Sequence, residues 1–190
     1  MRIGERWWIG VSGGEAFADV ARITLTVPRG AFGSGEHETT RSCLEVIERL
    51  PDLEGVRVLD VGSGTGILAV AALKLGAAEA LCIDIDAKAA ATSRLTAALN
   101  DVDKRTTVVL GPIEALAEQP CDLVVANLYG DVLLEIAPLM VGFLAPGGRL
   151  VLSGIAWEYA FPVDQLFERL GMRKLEEKWL ERFVTMVLSW

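Results

Sequence analysis

The segment Val58-Leu59-Asp60-Val61-Gly62-Ser63-Gly64-Thr65-Gly66-Ile67-Leu68, followed eighteen residues after Gly66 by Asp84 in Cys82-Ile83-Asp84-Ile85-Asp86, narrows the folds open to this chain more than any other. It reads as a strand, a glycine turn, a helix and a second strand that ends in a carboxylate. A short apolar strand that stops at three glycines in five residues lets backbone approach a ligand closely, because glycine has no side chain and tolerates positive φ. The helix beyond such a turn aims amide donors at that ligand. A carboxylate at the next strand end suits a ribose diol, since it accepts two hydroxyl protons. Together these parts describe a nucleoside-cofactor pocket.

Glycine spacing selects among such cofactors. A dinucleotide fingerprint is G-x-G-x-x-G, its third glycine placed so that a pyrophosphate can rest on the helix start. Here the pattern is G-x-G-x-G, and Ile67 stands at that third position. Asp60 just before the turn would repel a diphosphate but tolerates an ammonium or sulfonium group. Both details favour S-adenosyl-L-methionine over a nicotinamide cofactor. The competing reading is a purely structural turn, because glycine punctuation alone recurs by chance.

At 190 residues, 52% apolar and 23% charged, the chain fits one domain with a full core. A net charge of −8 argues against a nucleic-acid groove, which needs clustered Lys and Arg. Arg41, Arg49 and Lys74 are scattered. The three cysteines, Cys43, Cys82 and Cys121, are far apart, and with one histidine in the chain no metal site is expected. They read as reduced and mostly buried. The opening Met1-Arg2-Ile3-Gly4-Glu5-Arg6-Trp7-Trp8 lacks a signal-type apolar core, and the apolar stretch Leu123 to Leu144 is broken by Asp131, Glu135 and Pro138. Cytoplasmic location, with no membrane partner, is the expectation.

Two short strands are predicted at Trp7 to Val11 and Arg22 to Val27, followed by a loop over Pro28 to Gly35 and a helix over Glu38 to Leu50. Strands are then predicted at Val56 to Val61, Ala80 to Ile83, Thr106 to Leu110, Asp122 to Ala126 and Arg149 to Ser153. Helices Gly66 to Leu75, Ala87 to Leu99 and Asp131 to Phe143 alternate with them, and Ala145-Pro146-Gly147-Gly148 reads as a turn. Such alternation implies an α/β fold, a mostly parallel sheet with helices on both faces. After a helix around Val163 to Leu170, strands Arg173 to Lys178 and Phe183 to Ser189 follow directly, so one of them runs antiparallel to the rest. A mostly parallel seven-stranded sheet with a C-terminal antiparallel hairpin is the Rossmann-like plan expected of class I methyltransferases.

Ligands of such sheets sit outside the carboxyl ends of the strands. That rule gathers the Gly62 to Gly66 turn, Asp84, the strand end Asn127-Leu128-Tyr129-Gly130 and the loop Phe32 to Thr40. Asn127 ends an apolar strand with an amide able to align an attacking amine; a turn-forming Asn is the bland alternative. His37, the one histidine, is a candidate base, equally readable as a capping residue before a helix. Thr40 is placed to offer a hydroxyl to the cofactor's methionine end.

The run Ala31-Phe32-Gly33-Ser34-Gly35-Glu36-His37-Glu38-Thr39-Thr40, with Leu59 to Ala69, Asp84-Ile85-Asp86, Ala126-Asn127-Leu128-Tyr129 and Leu152-Ser153-Gly154-Ile155, resembles the ribosomal protein L11 methyltransferase family. The resemblance covers nearly the whole chain, and the Phe32 to Thr40 loop is its most specific part. It implies methyl transfer from S-adenosylmethionine to protein amines, lysine side chains and the α-amino group. Carried over by position, Thr40, Gly62, Asp84 and Asn127 would contact the cofactor, and Asn127 would also face the incoming amine. The full expected cofactor set is Thr40, Asp60, Gly62, Ser63, Gly64, Gly66, Asp84, Ile85 and Asn127; Phe32, His37, Leu128 and Tyr129 would face substrate, and Asn127 is the catalytic candidate.

Residues 1–30 then read as a strand-and-linker segment and 31–190 as the methyltransferase domain. Enzymes of that family carry an N-terminal ferredoxin-like recognition domain, and this chain begins where the joining segment would lie. The expected partner is a protein, a ribosomal protein or another, without direct nucleic-acid contact. The competing functions are a stand-alone methyltransferase for another protein or a small molecule, and a cofactor-binding module without turnover.

Overall fold

The computed structural model describes residues 1–12, 23–28, 36–117 and 119–190. Most of the expected loop from Pro28 to Gly35, Phe32 included, lies outside the described residues. Three short strands, β1 (Arg2–Ile3), β2 (Trp7–Val11) and β3 (Ile23–Val27), make a small sheet in the order β1-β2-β3. β1 was not anticipated; a two-residue strand carries no periodicity to read.

There follow α1 (Glu38–Arg49), β4 (Arg57–Val61), α2 (Ile67–Lys74), β5 (Glu79–Asp84), α3 (Ala87–Leu99), β6 (Thr106–Leu110), β7 (Cys121–Asn127), α4 (Gly130–Gly142), β8 (Leu144–Ala156), α5 (Trp157–Arg169), β9 (Arg173–Trp179) and β10 (Phe183–Ser189). The main sheet has the order β6-β5-β4-β7-β8-β10-β9. β4 through β8 pair in parallel, and β10 runs antiparallel to both β8 and β9. Chain direction along the sheet reverses at β4, whose neighbours are β5 on one side and β7 on the other.

Strand period two sends alternate side chains to opposite faces. Val58, Leu123 and Val125 enter a core with α1 and α2, whereas Leu59, Val124 and Ala126 enter a second core with α4 and α5. Helices therefore cover both faces. No helix among the described residues is long and apolar enough to cross a membrane.

Two boundaries differ from expectation by several residues. α5 begins at Trp157 and carries Pro162 inside it; a proline there removes one amide donor but does not stop a helix whose next turn buries Val163 and Phe167. β8 begins at Leu144, paired with Cys121, and resumes at Arg149, paired with Leu123, so the Ala145 to Gly148 turn is an excursion within one strand.

The small sheet is anchored by Trp7, fully buried, whose indole Nε1 donates to the Leu44 carbonyl of α1 at 3.0 Å. Replacing Trp7 by Ala removes a large buried ring and the second donor to that carbonyl, which keeps its partner within the helix. Urea denaturation should show Trp7→Ala less stable by about 3–5 kcal/mol.

Candidate functional site

The turn after β4 is stapled to its neighbours by backbone. The Gly62 and Ser63 amides both donate to the Ile83 carbonyl, at 2.9 and 3.1 Å, and the Gly66 amide donates to Ser63 O at 2.7 Å. Gly64 donates its amide to Asp84 Oδ2 at 2.9 Å. From α3, Ser93 Oγ donates to the Gly64 carbonyl and lies beside Ser63 Oγ, both at 3.0 Å. Gly64 has φ 54°, and a Cβ built there would meet nothing within 4 Å. That opening is where a ligand can lie against bare backbone.

Beside the turn is a cavity of about 240 Å³. Of the expected cofactor residues, Thr40, Asp60, Gly62, Ser63, Gly64 and Asn127 line it, as do the expected substrate-facing His37, Leu128 and Tyr129. Gly66 and Asp84 stand next to the lining rather than in it, and Ile85 is 78% exposed beyond. Asp84 is tied to the lining through Gly64; its other oxygen, Oδ1, accepts the Asp86 amide at 2.9 Å. The carboxylate is thereby held in one orientation, with lone pairs left for further donors.

The helix that follows the turn behaves differently from the expectation of free amides. Ala69 N donates to Asp60 Oδ2 at 3.2 Å and Ile67 N to Thr65 Oγ1 at 3.4 Å. Asp60 is buried, and a buried carboxylate needs donors. Burial pushes its carboxyl up to about 7, the Ala69 amide opposes that rise, and the Asp84 charge adds to it.

Asn127 ends β7 opposite Ser153 of β8. Its Nδ2 donates to Thr40 Oγ1 at 3.2 Å. With the NH2 so engaged, Oδ1 is the amide atom able to accept a proton donor in the cavity. The chain beyond Asn127 crosses Gly154, which has φ 79° and whose Cβ would overlap the Leu128 backbone; Leu128 N donates to Ser153 O at 3.0 Å.

His37 caps α1. Its Nδ1 accepts the Thr39 amide at 3.4 Å and lies 2.8 Å from Thr39 Oγ1, so this ring nitrogen is engaged at the helix start. The ring also stands edge-on to Phe183, centroids 5.3 Å apart at 67°. Phe183 and Gly154 line the cavity as well. Gly154 had a sequence signal in Ser153-Gly154-Ile155; Phe183, an apolar residue in a strand like its neighbours, had none. The Glu38 carboxylate accepts the amides of Glu181 and Arg182 at 2.9 and 3.3 Å, fastening the turn before Phe183 to the start of α1. All three cysteines are free and buried, and burial pushes the Cys43 thiol up to about 12 and the Cys82 thiol well above its ordinary value. Neither supplies a thiolate nucleophile near neutral pH.

A family model described as ribosomal protein L11 methyltransferase (PrmA) matches residues 1–186. The chain is 45% identical over 172 residues to the ribosomal protein L11 methyltransferase of Chromohalobacter salexigens, an overlap of 90% of this chain and 57% of that protein. It thus spans little more than half the length of the curated relatives it matches. A ribosomal protein L11 methylase from Lactobacillus delbrueckii subsp. bulgaricus superposes with a TM-score of 0.91 at 26% identity, covering 100% of this chain and 97% of that one. An RNA methyltransferase from Salinibacter ruber, in complex with S-adenosyl-L-homocysteine, shares the fold with a TM-score of 0.60 at 18% identity, over 77% and 88% of the two chains.

The raised Asp60 carboxyl has a consequence for stability. An acid bound more tightly in the folded state stabilises that state fully below its unfolded value near 4, and the contribution is lost as pH rises through the folded value. Between pH 4 and 8 the protein without ligand should lose on the order of 4 kcal/mol relative to Asp60→Asn, which keeps an acceptor for Ala69 and does not titrate. Urea midpoints of the two proteins across that range measure the difference.

Proposed function

The chain belongs to the ribosomal protein L11 methyltransferase family, and from that premise we propose that it transfers methyl groups from S-adenosylmethionine to protein amines, lysine side chains above all. The observation that carries this reading is the pairing of Asn127 with Thr40 on the wall of the cavity that Gly64 opens onto. A fixed amide acceptor next to bare backbone suits an amine meeting a nucleoside cofactor.

The residues present fit that cofactor. The open face of Gly64 admits a ligand against the turn, Asp84 offers a fixed carboxylate for ribose hydroxyls, and Asp60 and Thr40 suit its charged methionine end. When bound, S-adenosylmethionine supplies an electrophilic methyl group on a sulfonium. Ile67, Leu68, Leu128 and Phe183 give the cavity apolar walls that exclude water from the meeting point.

A lysine ammonium must first lose a proton, which at pH 7 costs roughly 4.6 kcal/mol for an ordinary lysine. Asn127 is no base, and Nδ1 of His37 is engaged in the helix cap. Desolvation by the apolar walls lowers the ammonium's hold on its proton, which leaves to solvent. Asn127 Oδ1 then accepts one N–H of the neutral amine and turns its lone pair toward the methyl group. In the same reading, residues 1–30 form a joining segment and 31–190 the methyltransferase domain, acting in the cytoplasm on a ribosomal protein of the L11 type.

Incubation with tritiated S-adenosylmethionine and purified ribosomal protein L11 should label that protein, with turnover rising from pH 7 to pH 9. Absence of label on any protein in a lysate as well would sink the activity. Asn127→Ala should lower kcat by roughly 10–100-fold with a smaller effect on cofactor affinity. Asp84→Ala should weaken cofactor binding by about 2–4 kcal/mol in calorimetry, through the loss of two hydroxyl partners.

A further inference from the structure

The carboxyl end of the sheet carries an aromatic surface that the proposed chemistry does not use. Trp157 is 51% exposed, Phe161 69% and Trp179 56%. Trp157 and Phe161 are one helical turn apart at the start of α5 and share a face. Trp179 ends β9, and its ring lies 6.3 Å from that of Trp157 at an angle of 58°. Clustered aromatics left in water mark interaction sites more often than isolated ones do.

Strand register sets this surface beside the cavity. Phe183, on the cavity wall, pairs with Ala156, the residue before Trp157, and Val184 pairs with Trp179. Tyr129, 70% exposed, joins the cavity side. Carboxylates frame it. Glu158 follows Trp157, Glu177 Oε2 accepts from the Trp179 indole at 3.2 Å, and Glu181 and Asp131 are exposed beside Phe183's turn and Tyr129. Opposing them are Arg182, in the same turn, and Lys174, which is already paired with Asp164 and Glu177 at 2.8 and 3.0 Å.

We propose that this surface docks the cationic stretch of polypeptide flanking the target lysine, with neighbouring Lys or Arg side chains lying over Trp157 and Trp179. Indole faces carry negative potential and attract cations, and the surplus of carboxylates around them acts in the same sense. A lysine entering a cavity of about 240 Å³ brings flanking residues that must lie outside its mouth. A second copy of this chain is a poor occupant, because two faces of a protein with net charge −8 repel. The inference rests on the amine-methylating reading for its direction, and adds the surface that selects among lysines.

Calorimetry with a synthetic Gly-Lys repeat peptide and its Gly-Glu counterpart tests the docking without turnover. The lysine peptide should bind and the glutamate peptide should not. The double variant Trp157→Ala, Trp179→Ala should bind the lysine peptide about tenfold more weakly, and Trp157→Phe, Trp179→Phe should recover part of the loss. Unchanged cofactor affinity shows that the variants are folded. In assays, KM for the lysine peptide should rise in the Ala variant, while methylation of Nα-acetyl-lysine methylamide, too short to reach the patch, stays the same. Equal binding of both peptides, undiminished binding by the Ala variant, or a dimer that this variant dissolves would overturn the proposal. A protein that binds the lysine peptide through these tryptophans yet methylates nothing upholds the surface and overturns the activity alone.

Discussion

Two amides of one turn converge on a single carbonyl, Gly62 and Ser63 on Ile83, and the next glycine hands its own amide to the Asp84 carboxylate. This seam joins the end of β4 to the end of β5, so the turn and the carboxylate move as one body. The parallel pairing of β4 with β5 brings Val61 opposite Ile83, which sets the register that the seam needs. On the other side of β4, β7 delivers Asn127 at the same level. A shift of either neighbour by one residue would turn every side chain of that strand to the opposite face. The two apolar cores, one on each face, forbid it.

Asp60 shows why a residue's type and position do not settle its role. A carboxylate before a glycine turn is suited to a cationic ligand, and it does line the cavity. One of its oxygens is nevertheless spent on the Ala69 amide, so it also holds the first turn of α2 to the end of β4. Its burial raises the carboxyl to about 7. A cationic group arriving next to it would favour the ionised form, so ligand binding and proton release are linked at this residue.

Much of the architecture was legible because it rests on local pattern. A continuous apolar run such as Val58-Leu59 marks a strand buried on both faces, and the glycine turn marks where it stops. The expected ladder of strands and the terminal hairpin followed from spacing alone. What stayed hidden depends on contacts between distant segments. Thr40 and Asn127 meet across 87 positions, and Glu38 meets the turn at Glu181 and Arg182 across more than 140. Phe183 differs in no local way from other apolar residues of β10, and only the edge-on ring of His37 and the cavity behind it single it out. The same holds for the amides at the start of α2: aiming them at a ligand follows from helices in general, and Asp60 competes for that of Ala69 through tertiary structure.

The cavity therefore has two halves of different construction. The half around Gly62, Gly64 and Asp84 is built from backbone hydrogen bonds between consecutive elements, β4, the turn and β5. The half around His37, Asn127, Tyr129 and Phe183 is built from side chains on α1, β7, the start of α4 and β10, held together by Thr40, Glu38 and Gly154. Substitution of a side chain in the second half leaves the backbone seam of the first intact. A fold of this kind can keep the geometry of its glycine turn while the facing wall of side chains is changed. The clamp between Glu38 and the turn before Phe183 ties that wall to α1, the helix that also carries Thr40, the partner of Asn127.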